Sequence, residues 1–129
     1  MSALCGIKVL ELAQSVSGEY CGKLLSDFGA EVIKLEQPGR GSPTRRFEPF
    51  APGAADPERS GLFAYLNTNK HSIELDLEEV AGTDALNTLL NHVDVVIDDH
   101  PDGWLRSIGL NPETLHESRP ALVLCSITA

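Results

Sequence analysis

Two apolar, β-branched runs flank a single helical segment with almost no chain to spare, and this spacing restricts the fold more than any other feature of the sequence. Ile7–Leu12 reads IKVLEL and Ala30–Glu36 reads AEVIKLE. Between them Tyr20, Cys21, Leu24, Leu25 and Phe28 recur at helical spacing. They are predicted to form the buried face of a helix, with Ser17 as its N-cap and Gly29 as its left-handed stop. The second run begins directly after Gly29, too soon for a hairpin return. Strand, helix and strand in such close succession imply a right-handed βαβ unit with parallel strands.

The alternation continues. After Gly61–Asn67, predicted as a short helix, HSIELDL (His71–Leu77) alternates as a third strand. A helix over about Glu79–Asn91 turns Leu86, Leu89, Leu90 and Val93 to the core, and DVVID (Asp94–Asp98) is a fourth strand. Asn111-Pro112-Glu113 marks a helix start with an N-cap, a proline in the first turn and an acid beside it, and Leu110 and Leu115 are placed as a hydrophobic staple. ALVLCSI (Ala121–Ile127) is a fifth strand. Apolar strands alternating with helices predict an open, doubly wound, mainly parallel α/β sheet of Rossmann-like type, filling residues 1–129 as one domain. The sequence stops directly after the fifth strand without a helix to cover it, so this is expected to be the front part of a longer chain, or to have that face covered by a partner.

Ligands of such sheets bind beyond the carboxyl ends of the strands. The segments there are Gln14–Gly18, Glu36–Arg46, Asp76–Glu78 and Asp98–Gly103. The first resembles a phosphate loop only superficially. Three residues, not four, separate Gly18 from Gly22, Leu24 follows Lys23 where Ser or Thr is needed, and Glu19 would compete with a phosphate. From Gln37 to Ser60 periodicity vanishes and five of the eight prolines gather, which suits a functional or mobile loop. Ten basic against nineteen acidic residues give a net charge of −9, which speaks against non-specific binding to nucleic acid or an anionic membrane surface. The three cysteines form no CxxC pair and read as buried, reduced thiols of a cytoplasmic protein. No apolar run approaches the length of a bilayer span.

Arg40, Arg45 and Arg46 lie in PGRGSPTRR, a segment without an acid in an otherwise acidic chain, and offer a seat for a phosphate or carboxylate. The competing reading is a solvated loop paired with surface acids. NTNK (Asn67–Lys70) offers amide and ammonium donors, or a plain polar turn. Asp98-Asp99-His100 suggests a carboxylate–imidazole pair, but no second cluster has metal-ligand spacing, so no metal is expected. Ser126 and Thr128 lack the context of a hydrolase nucleophile, and Cys21 reads as packing.

With these segments placed, the chain resembles the N-terminal part of the family III CoA-transferases, the group of formyl-CoA transferase and the related α-methylacyl-CoA racemase. The resemblance rests on GIKVLEL, GEYCGKLLSDFGAEVIKLEQPGRGSPTRR (Gly18–Arg46), NTNKHSIELDL, DVVID, the Ile108-Gly109-Leu110 step and LVLCSIT, and covers nearly the whole sequence. It implies an interlocked homodimer, or pairing with the rest of the family fold, in which each subunit has a nucleotide-binding-like domain and a smaller one. The implied activity moves CoA from an acyl-CoA donor to a carboxylate acceptor through a catalytic aspartate, by nucleophilic catalysis and without a metal. By the resemblance that aspartate lies downstream of SIT, so no catalytic residue is assigned and this chain alone is expected to be inactive.

The resemblance also implies CoA contacts. Val16 and Ser17 match the turn that meets CoA, Leu75 matches the adenine-side strand end, and Gln37, Asp99 and His100 stand at contact positions where the family often has Arg and an Asn-Phe pair. Glu78 stands where Lys is frequent, and Ser107 where Arg is frequent, with Arg106 one position earlier. Fewer cations would weaken the hold on phosphates, unless Arg40, Arg45, Arg46 and Lys70 compensate. Three readings follow: a CoA-transferase of which this is the CoA-binding part, a non-catalytic partner that keeps the fold for dimerisation, and an acyl-CoA racemase-like relative.

Overall fold

A computed structural model gives the structure of the protein and describes residues 2–52 and 56–128. Five parallel strands, β1 (Lys8–Glu11), β2 (Glu31–Glu36), β3 (His71–Glu74), β4 (Val95–Asp98) and β5 (Val123–Ser126), form one sheet in the order β3-β2-β1-β4-β5. The helices are α1 (Val16–Asp27), α2 (Gly61–Leu66), α3 (Val80–Leu90), α4 (Trp104–Ser107) and α5 (Pro112–Ser118), and a 3-10 turn spans Pro43–Arg46. The order runs outward from β1 through β2 to β3, then crosses back to β4 and β5. That reversal makes the sheet doubly wound, as the alternation predicted.

Successive strand residues point to opposite faces, and each face has its own core. On one side Leu10, Leu12, Leu35 and Val96 pack with Leu86 and Leu90 of α3, Leu105 of α4, and Leu110 and Leu115. On the other, Val9, Val32 and Ile97 pack with Cys21 and Leu25 of α1. The start of α5 is the predicted one: Asn111 accepts from the Glu113 amide at 2.9 Å, with Pro112 in the first turn. Gly29 has φ +101 and ends α1, a conformation that a side chain would strain. No helix of the described residues is long and apolar enough to cross a membrane.

Helix α1 departs from the sequence reading in two ways. Its N-cap is Ser15, two residues earlier than expected, and Ser17 lies inside the helix. Its buried stripe is Gly18, Glu19, Gly22 and Ser26, whereas Tyr20, Leu24 and Phe28 are 42%, 40% and 58% exposed. Of the predicted face only Cys21 and Leu25 pack on the sheet. The cysteines also differ from expectation: Cys5 is exposed, and Cys21 and Cys125 are only partly buried.

The cause lies on the sheet beneath α1. Glu11 and Lys34 are register partners on adjacent strands, and both side chains point at the helix. The Lys34 ammonium donates to Glu11 at 3.0 Å, to the Ala13 carbonyl at 3.1 Å, and lies 2.9 Å from Glu19. Lys70 closes the cluster, donating to Glu11 at 2.6 Å, to the Glu19 carbonyl at 2.7 Å and to Asn67 at 2.9 Å. A side chain at Gly22 would run into the Glu11 carboxylate. The helix therefore presents small and polar residues to the sheet, because charge rather than hydrocarbon waits there. Burial pushes the Glu11 carboxyl above its ordinary value despite Lys34 and Lys70, and pushes the Lys70 ammonium below its own.

Replacing Lys34 by Met would leave two buried carboxylates facing each other with one cation. The expected outcome is a loss of about 3–5 kcal/mol of unfolding free energy, read from urea denaturation. A loss under about 1 kcal/mol would mean that the cluster does not hold α1 on the sheet.

Candidate functional site

Strand order reverses between β1 and β4, so the crevice beyond their carboxyl ends is where a ligand of this fold is sought. In this protein the crevice mouth is partly filled by the protein's own anion. The Asp99 carboxylate, just past β4, accepts from the Gln14 amide at 2.9 Å, from the Ser15 amide at 2.7 Å and from the Ser15 hydroxyl. These donors head α1, where a phosphate commonly sits. A side chain at Gly18 would collide with Asp99 and Ala13, so glycine there permits the close approach. Val16 and Ser17 lie exposed on the first turn of α1, beside this closed end.

The open space lies to one side, over β1, β2 and β3. Its apolar floor is made by Leu12, Leu35, Leu75, Leu77 and Ile108, with Trp104 as a wall. Gln14, Gln37, Asp76, Glu78, His100 and Ser107 form the polar rim. Gln14 and Gln37 also border a second, adjoining hollow with Arg40, Gly41, Pro43 and Arg46. The two hollows make one groove, apolar at one end and arginine-lined at the other. Among the predicted residues, Gln37, Leu75 and His100 meet at the apolar end, and Arg40 and Arg46 at the other.

Arg45 and Lys70 are placed differently from Arg40 and Arg46. Arg45 turns away to grip Glu36, donating to both carboxylate oxygens at 2.8 Å, and its guanidinium lies 3.8 Å from the Phe63 ring centre. Lys70 has all three ammonium donors engaged in the cluster beneath α1. Both are nonetheless tied to the groove. Glu19, in the same cluster, accepts from Thr44 at 2.7 Å, from the Ser42 hydroxyl and from Asn67 at 3.0 Å, and Glu36 accepts from the Ser42 amide at 2.7 Å. These bonds fasten the loop on which Arg40 and Arg46 stand. Arg46 adds a bond of 2.9 Å to the Arg40 carbonyl.

His100 is held on two sides. Its Nδ1 is 2.7 Å from Asp98, and its ring stacks on Trp104 at 3.4 Å with an interplanar angle of 6°. The acids of the Asp98-Asp99-His100 run thus have separate tasks, one on the imidazole and one on α1. Trp104 and Gln14 were not singled out from the sequence. The usable signal was that the only tryptophan of the chain follows a glycine just beyond a strand end, in a fold that binds ligands there.

Glu36 shows how strongly the loop is tied. Burial would raise its carboxyl, but hydrogen bonds from Arg45, Ser72 and the Ser42 amide, with the charge of Arg45, hold it down at about 2.

Comparison with known proteins gives a consistent match. The sequence fits the model of the family described as CoA-transferase family III over residues 4–129. It is 37% identical over 127 residues to the succinyl-CoA:mesaconate CoA-transferase of Haloarcula hispanica, covering 98% of this chain and 32% of that protein. It is 38% identical over 122 residues to the succinyl-CoA–D-citramalate CoA-transferase of Chloroflexus aurantiacus, covering 95% of this chain and 29% of that one. The structure matches a CAIB/BAIF family protein from Brucella suis with a TM-score of 0.88 and 36% identity, over 99% of this chain and 34% of the other. The chain therefore spans about a third of the length of the relatives it matches.

Because the Glu36 value in the folded protein lies below its ordinary 4.5, the stability it contributes is complete above about pH 4.5 and is lost as the pH falls towards 2. Glu36→Gln is expected to flatten that part of the acid unfolding curve and to cost about 2 kcal/mol at neutral pH, measured by thermal and urea denaturation across pH. An unchanged acid slope would show that the Arg45 grip does not stabilise the loop.

Proposed function

Since the chain belongs to CoA-transferase family III, we propose that it supplies the CoA-binding part of an enzyme that moves CoA from an acyl-CoA thioester to a carboxylate acceptor. The observation that carries this reading is the two-ended groove. An apolar floor with a tryptophan wall suits a purine, and the adjoining Arg40 and Arg46 suit a diphosphate, with Gln14 and Gln37 between them. Leu75 lies on the base side of that path, and Val16 and Ser17, exposed on the first turn of α1 next to Gln14, are assigned to the pantetheine arm.

The chemistry is an exchange of bonds at an acyl carbon. An enzyme carboxylate attacks the thioester carbonyl, the carbon–sulfur bond breaks and CoA leaves as a thiolate. The thiolate attacks the enzyme-side carbonyl of the anhydride, which releases the donor as a carboxylate and leaves CoA on the enzyme as a thioester. The acceptor carboxylate then runs the same two steps in reverse and departs as the new acyl-CoA. We assign the nucleophile to a part of the protein beyond these 129 residues. The task of this chain's residues is to fix the nucleotide, so that binding energy from the remote end of CoA orients the thioester. In this scheme Arg45 and Lys70 position the loop that carries Arg40 and Arg46, and do not touch the ligand themselves.

Two further features support the family's assembly and setting. Val16, Tyr20, Leu24 and Phe28 form an exposed apolar stripe along α1, with Val123 exposed on β5, which supports the homodimer that the resemblance implies. The free cysteines support a reducing, cytoplasmic setting. The non-catalytic reading draws on the acidic rim of Asp76 and Glu78, which would repel phosphates.

Calorimetric titration of CoA separates these readings. The double variant Arg40→Ala, Arg46→Ala is expected to bind CoA at least about tenfold more weakly, since each lost charge-assisted hydrogen bond costs about 1.5–3 kcal/mol. Pantetheine, which lacks the nucleotide, should bind both forms alike. Unchanged CoA affinity would remove the arginine loop from the site, and no binding by the folded parent protein would favour the scaffold reading.

A further inference from the structure

Among the described residues, His100 is the only one lining the apolar end of the groove whose side chain can carry a positive charge. The two other titratable side chains there, Asp76 and Glu78, are acids. On its far side the imidazole borders a hollow with Asp98, Asp102, Arg106 and Glu113, while Asp99 is occupied by Gln14 and Ser15. We propose that His100, as an imidazolium, is the contact for the 3′-phosphate of CoA, so that this protein takes up a proton when it binds the phosphorylated coenzyme. The proposal rests on the CoA reading given above.

The geometry defines how this contact works. Nδ1 is bonded to Asp98, which orients the ring and assigns that nitrogen the role of donor. Nε2 points away from that bond and has no protein partner among the described residues, and none of their buried side-chain nitrogens or oxygens lacks a partner. Nε2 therefore reaches solvent. In the neutral ring it is an acceptor and offers nothing to a phosphate oxygen. One added proton makes it a donor with a positive charge, without disturbing the bond to Asp98. The flat stack on Trp104 fixes the plane in which that donor points. Asp76, Glu78 and His100 line the same end of the groove, so a 3′-phosphate held there meets two acids and one side chain able to offset them with a positive charge.

The test is the affinity of the protein for CoA and for dephospho-CoA between about pH 6 and pH 8, the range in which histidine changes charge. Affinity for CoA should fall about tenfold across that range while affinity for dephospho-CoA stays level. The phosphate itself gains negative charge as pH rises, which acts against such a fall, so the fall points to the protein group. His100→Phe, which can keep the stack on Trp104, and His100→Gln should each remove the fall and bind CoA as the parent does at high pH. Circular dichroism confirms that the variants are folded. A fall of equal size with dephospho-CoA, or one that persists in a folded variant, overturns the proposal but leaves the CoA reading intact. Failure of the parent to bind either coenzyme at any pH overturns both.

Discussion

The seating of α1 on the sheet, and with it the loop at the arginine end of the groove, depends on a group of four charges buried between α1 and the strands. Glu11 and Glu19 alternate with Lys34 and Lys70, and the carboxylates and the Lys34 side chain are almost completely shielded from solvent. Removing four ions from water is costly, and mutual attraction offsets that cost only when every donor and acceptor is satisfied. That condition is met, because each ammonium has three acceptors and each carboxylate is bonded on both sides. The arrangement has a directional consequence that a hydrocarbon layer would lack. Apolar packing tolerates sliding, whereas a cluster of this kind fixes the height and rotation of α1 over the strands.

The same cluster extends into the site. Glu19 lies in the first turns of α1, yet its partners Ser42, Thr44 and Asn67 lie in two other segments of the chain. One carboxylate thus joins a helix, the loop after β2 and the turn before β3. Glu36 adds a second anchor through Ser42 and Arg45. A loop so rich in proline and glycine would otherwise sample many shapes. Two buried acids instead give Arg40 and Arg46 a defined place beside Gln14 and Gln37, so a ligand would meet cations already in position.

The strands and their parallel order were legible because the information is local. Apolar runs, a helix too short to allow anything but a crossover, and the Asn111-Pro112 cap each act over a few residues. The buried face of α1 was not legible for the same reason: Tyr20, Leu24 and Phe28 have helical spacing, but Gly18, Gly22 and Ser26 face the sheet because Glu11 and Lys34 occupy it. Those two residues do carry a signal, as opposite charges within otherwise apolar runs of adjoining strands. The arginine cluster was visible as composition, but its division was not. Arg45 finds Glu36 nine positions away and Phe63 beyond that, and only the folded chain separates it from Arg40 and Arg46.

Asp99 gives the site its remaining asymmetry. In many sheets of this type the first helix end is the phosphate seat, because its amides and dipole attract an anion. Here a carboxylate of the protein takes those amides, and Gly18 has no side chain to keep it away. A ligand phosphate brought to the same place would meet a fixed negative charge with its donors already taken. In the CoA reading proposed above, the diphosphate is therefore placed at the arginine loop, and the space nearest β4 is left to the Trp104 wall and His100. The position of one acid at the reversal of strand order thus takes the head of α1 out of use as a phosphate seat.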